Sequence, residues 1–164
     1  MLAVIQKAEA GYTARFERYW THSTEEVWSW LTDNDKLPIW FSELRVDELR
    51  EGGVIKFDMQ DGTFEDMVIT ELRTGSVLEY TWDTDRVRFE LYEDGVGGCK
   101  LVFTEIIKAI TNHTPRDIAG WDVCLDVIGM LLDGEGDAVT PEFRKGKWEV
   151  RYEQYVRMFA ELNN

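Results

Sequence analysis

From residue 43 to about 110 the chain is a succession of short alternating segments cut by glycine turns, and that pattern leaves few folds open. Leu44 to Leu49 ends at Gly52-Gly53, and Val54 to Met59 alternates until Asp61-Gly62, a strong hairpin dipeptide. Phe64 to Leu72 and Val77 to Trp82 are split by Thr74-Gly75. Val87 to Tyr92 sets Val87, Phe89 and Leu91 on one face before Asp94-Gly95-Val96-Gly97-Gly98 turns the chain. Lys100 to Ile110 closes the series, with Leu101 and Phe103 on one side and Val102, Thr104 and Ile106 on the other. Successive short strands with tight turns predict an antiparallel meander. One more strand precedes it: Tyr12, Ala14, Phe16 and Trp20 share a face of the segment Tyr12 to Trp20, with Arg18 the exception.

Helical periods flank the strands. Ser23-Thr24-Glu25-Glu26 fits a capping box, in which the Ser23 hydroxyl accepts from the Glu26 amide, and Val27, Trp30 and Leu31 follow at helical spacing. A second short helix is expected from Asp35 to Phe41. The long helix opens at Thr114 as N-cap, with Pro115 at its first position and Asp117 favouring the positive end. Ile118, Trp121, Leu125, Ile128 and Leu132 form its apolar stripe, Asp122 and Asp126 are left for solvent, and Gly134 stops it. After a loop from Asp133 to Thr140, the residues Trp148, Tyr152, Tyr155, Val156, Phe159 and Leu162 mark a terminal amphipathic helix. Strand, two helices, meander and long helix predict one α+β domain over residues 1–164, with a core at about 12–134 and a helical extension at about 140–162.

Charge narrows the function. With 18 basic and 32 acidic residues, a net charge of −14 disfavours nucleic acid and anionic membrane surfaces. No apolar run approaches the roughly 20 residues that span a bilayer, and the first residues lack a secretion signal, so a cytoplasmic protein is expected. Cys99 and Cys124 are read as reduced thiols. His22 and His113 lie far from any second ligand type, and no nucleophile sits in a recognisable frame, so neither a catalytic residue nor a metal nor a cofactor is expected. Asp133-Gly134-Glu135-Gly136-Asp137 has a calcium-loop flavour, but Arg144 stands at the twelfth position, where a bidentate Glu is required. Glu105 continues the register of Leu101 and Phe103. Facing the interior, it needs a partner such as Arg18, Arg88 or Glu65, or else a raised pKa; at a strand end it reaches water.

Several stretches, taken together, resemble bacterial relatives of the activator of the 90-kDa heat-shock chaperone ATPase, within the START-like superfamily of birch-pollen-allergen and lipid-transfer domains. They are Arg18, Ser23 to Trp28 with Leu31-Thr32-Asp33, Leu37 to Phe41, Gly52-Gly53, Leu78 to Trp82, Leu101 and, above all, Gly120-Trp121-Asp122-Val123-Cys124-Leu125-Asp126. The resemblance implies a helix-grip fold, a curved antiparallel sheet of six or so strands wrapped around the long helix. It also implies a hydrophobic cavity, lined from the sheet by Tyr80, Trp82, Phe89, Leu91, Phe103 and Glu105 and from the helix by Trp121, Leu125 and Ile128. Plain core packing is the alternative for each. The leading expectation is non-catalytic binding of an apolar small molecule or lipid, with a role in stress adaptation. A chaperone partner is the first alternative and a cyclase- or aromatase-like enzyme the second. The oligomeric state stays open, pairing of a second copy through the terminal helix included.

Overall fold

A computed structural model describes residues 1–162; residues 163 and 164, the end of the expected domain, lie outside the described part. The chain divides into two compact units, Met1 with Ala3–Lys108 and Leu2 with Ala109–Asn164.

The first unit is an eight-stranded sheet with two short helices. Its strands are β1 (Val4–Ala8), β2 (Gly11–Trp20), β3 (Leu44–Val46), β4 (Val54–Asp58), β5 (Phe64–Arg73), β6 (Val77–Trp82), β7 (Asp85–Glu93) and β8 (Cys99–Ile107). Helices α1 (Thr24–Thr32) and α2 (Leu37–Trp40) follow β2. The order β1-β2-β8-β7-β6-β5-β4-β3 is antiparallel throughout. The meander is as the alternation predicts, with ends shifted by one to three residues. One strand is new. β1 was not expected because four of its five residues are exposed, so no apolar alternation marks it.

The predicted cap of α1 is present, with the Glu26 amide donating to Ser23 Oγ at 3.1 Å. α2 is shorter than the Asp35 to Phe41 expected, because Phe41 already has extended backbone angles. The Trp40 indole donates to the Trp30 carbonyl at 2.7 Å, tying α2 to α1.

The two faces of the sheet differ chemically. On one, Phe16 of β2, Phe103 of β8 and Phe89 of β7 are direct cross-strand neighbours, each at most 1% exposed. Burying one such side chain contributes roughly 1.5–3 kcal/mol. Arg18, the charged exception in that register, lies on this face; it is 9% exposed and its guanidinium donates to the Met1 and Glu17 carbonyls. On the other face Arg88 Nη1 donates to Glu71 Oε1 at 2.8 Å and to Glu79 Oε2 at 3.0 Å. Arg86 and the Thr70 hydroxyl complete the shell of Glu79, a carboxylate only 6% exposed. The hydrogen bond from Arg88 holds the Glu71 carboxyl below the usual range.

The second unit holds α3 (Thr114–Leu132), a 3-10 turn (Gly136–Ala138) and α4 (Pro141–Leu162). Two expectations are corrected here. The cap position of α3 is His113, and the Thr114 hydroxyl instead accepts from the Thr111 amide at 2.9 Å. Asp122 is fully buried, because Tyr155 and Arg151 of α4 reach its carboxylate. On α4 itself Tyr155 and Phe159 are buried as the amphipathic pattern predicts, whereas Val156 and Leu162 are exposed.

Two substitutions test these contacts. A Cβ at Gly11, where φ is +120°, would lie 2.1 Å from the Ile107 carbonyl oxygen of β8. Gly11→Ala should therefore lower stability by at least about 1–3 kcal/mol in urea unfolding. Arg88→Ala leaves Glu71 and the buried Glu79 without their shared cation and should cost about 2–4 kcal/mol. Adding Glu79→Gln should restore part of that loss.

Candidate functional site

The apolar face of the sheet carries most of the residues singled out in the sequence. Ring centroids step from Phe16 to Phe103 at 5.6 Å, from Phe103 to Phe89 at 4.9 Å and from Phe89 to Tyr80 at 6.2 Å, a continuous run across β2, β8, β7 and β6. Leu91 extends this face and is 4% exposed. Trp82 belongs to a second cluster, where its ring packs edge-on against Phe41 at 5.7 Å and Phe57 at 5.9 Å, and it is half-buried. Phe16 and Phe57 were not among the expected site residues. The alternation of their own strands was the available signal.

Glu105 lies in the next row of the same face, directly opposite Ala14 on β2 and Val87 on β7. It is 1% exposed, which settles the alternatives in favour of the interior. Of the partners considered for it, Arg88 is committed to Glu71 and Glu79 on the opposite face, and Glu65 is exposed on β5. The small Ala14 side chain, itself fully buried, stands beside the carboxylate.

In the second unit Trp121, Leu125 and Ile128 are buried on α3, at most 2% exposed. Their neighbour Asp122 accepts from the Tyr155 hydroxyl at 2.6 Å, and Arg151 Nε lies 3.4 Å from its other oxygen. This buried acid–phenol–guanidinium group escaped the sequence reading, since its members are 29 and 33 positions apart along the chain.

A recess of about 260 Å³ lies elsewhere in the first unit, lined by Ser23, Thr24, Glu93, Gly95, Gly97 and Gly98. The Val96 and Gly98 amides of that loop donate to Asp94 Oδ1 at 2.9 and 2.8 Å and hold its carboxyl below the usual range. Donors that would attract an anion are thus already engaged by Asp94.

A family model described as Activator of Hsp90 ATPase homolog 1-like protein matches residues 21–133. No curated protein matches the chain significantly. Among solved structures, the conserved protein of unknown function EF2215 from Enterococcus faecalis is 28% identical, with 99% of this chain and 92% of that one covered at a TM-score of 0.86. CalU16 from Micromonospora echinospora is 23% identical, with 94% of each chain covered at 0.71. The Aha1 dimer from Colwellia psychrerythraea is 19% identical, with 75% of this chain and 97% of that one covered at 0.63. The fold is therefore the α+β helix-grip, START-like class. Among the described residues no helix is long and apolar enough to cross a membrane.

Both cysteines are free and buried. Burial pushes the Cys99 thiol up to about 11. Between its ordinary value of 9.0 and that figure the unfolded chain holds fewer protons than the folded one, so stability falls as pH rises. Urea midpoints measured across this range should decline more steeply for the parent than for Cys99→Ala.

Proposed function

The chain belongs to the Activator of Hsp90 ATPase homolog 1-like family, and from that premise we propose that it is a non-catalytic binding protein for an apolar small molecule. The observation that carries the reading is Glu105, a carboxylate buried in a face built mainly of Phe16, Phe103, Phe89, Tyr80 and Val87, with Arg18 further along the same face. Small-molecule sites are mostly apolar with a few placed polar groups. An aromatic run with one carboxylate has that composition, and it suits a hydrophobic body bearing one hydrogen-bond donor. Tyr80, Trp82, Phe89, Leu91 and Phe103 are the proposed contacts. The proposal includes a single domain acting in the cytoplasm, in adaptation to stress, without nucleic acid.

Native mass spectrometry of freshly purified protein should find a retained apolar ligand. A panel of fatty acids, isoprenoids and aromatic polyketides should raise the melting temperature, and Glu105→Gln should weaken the best binder about fivefold or more, the cost of losing one charged hydrogen bond. An empty protein with no thermal shift across the panel removes the reading.

The family description favours a second reading, contact with a chaperone ATPase. Titrating the protein into a bacterial 90-kDa chaperone ATPase assay tests it, and an unchanged rate excludes it. An enzymatic reading would require turnover that Glu105→Gln abolishes.

A further inference from the structure

α3 and α4 are anchored by different physics. Thirteen of the 19 residues of α3 are buried, against Tyr155 and Phe159 alone among the 22 of α4. On α4 the residues Val150, Val156 and Leu162 are exposed by 54%, 41% and 43%. What holds α4 to α3 is mainly polar. Lys147 Nζ lies 3.2 Å from Asp126 Oδ2, and Arg151 reaches both Asp122 and Asp126, at 3.4 and 3.8 Å. The Tyr155 hydroxyl donates to Asp122 at 2.6 Å. Arg116 of α3 lies over the stacked rings of Trp148 and Tyr152, 5.9 and 5.2 Å from their centroids. Arg144 Nη2 is 3.8 Å from Cys124 Sγ. Arg144, Lys147, Arg151 and Tyr155 recur every three or four residues, so one stripe of α4 meets α3, basic until Tyr155.

We propose that α4 is a detachable strap: it leaves α3 as one cooperative piece while the unit Ala3–Lys108 stays folded, and it uncovers the acidic stripe of Asp122 and Asp126 together with the Cys124 thiol. Segments with few buried apolar residues open at a lower free energy than the core. Contacts between partly exposed charges also weaken as salt shortens the screening length. The strap therefore opens more often at high ionic strength, and α3 then presents two carboxylates in place of a covered face. Cys124, 6% exposed and beneath Arg144, is a built-in reporter of that opening.

The experiment follows the reaction of Cys124 with 5,5′-dithiobis(2-nitrobenzoate) in the full chain carrying Cys99→Ala, alongside amide hydrogen exchange. The labelling rate should rise about tenfold from about 50 mM to about 500 mM NaCl. Peptides from residues 141–162 should lose protection in parallel, while those from 3–108 keep theirs. At low salt, Arg151→Gln should raise the labelling rate by at least as much. Lys147→Gln, which removes only a partly exposed contact, should raise it less without changing the sheet's protection. If Cys124 reacts only at the rate of whole-chain unfolding, with the urea dependence of the sheet amides and no response to salt, the strap does not exist. Exchange of the α4 peptides no faster than that of the sheet would overturn the proposal equally.

Discussion

The ladder between β2 and β8 is the constraint on which the first unit rests. It joins residues 12–20 to 99–107 in nine consecutive cross-strand pairs and so closes a loop containing both short helices and the rest of the meander. Such closure costs chain entropy before any contact offsets it, and the offset comes on both sides of β8. Phe16 meets Phe103 across one pairing and Phe89 meets Phe103 across the other, so one phenyl ring is shared by two ladders. The close approach of Gly11 to the Ile107 carbonyl lies at one end of the same ladder, where the backbones leave no room for a side chain.

The arrangement also explains why the two faces of the sheet carry opposite chemistry. A strand with period 2 separates its side chains absolutely, so β7 can send Val87, Phe89 and Leu91 one way and Arg86, Arg88 and Glu90 the other. The charges are tied to one another across strands, with Arg88 bridging Glu71 and Glu79. That polar surface fixes the register. A slip of one residue would bring Arg88 into the aromatic run and expose Phe89.

Much of this was legible in the sequence wherever burial alternates. β2, β5, β7 and β8 show the period over most of their length, and the phase set by Leu101 and Phe103 made Glu105 a candidate for the interior. β1 was invisible because its exposed residues leave no pattern. Asp122 was misread for a related reason. Periodicity assigns a carboxylate to solvent by default, and only the three-dimensional arrival of Tyr155 and Arg151 stabilises a buried one. The candidate site was legible as a set of aromatic residues on the sheet. The split of Trp82 into a separate cluster with Phe41 and Phe57 was not, since it depends on where α2 ends.

The two outermost strands have a consequence for colloidal behaviour. An open sheet margin offers unsatisfied backbone groups on which further chains can polymerise. At one margin β3 is only three residues long, with the exposed cation Arg45 at its centre. At the other, the five-residue β1 pairs with residues 11–15 of the ten-residue β2, bears an exposed Lys7 and ends in a tight reversal at Gly11. Both margins are thus short and charged, the features by which sheet edges resist edge-to-edge pairing with further chains.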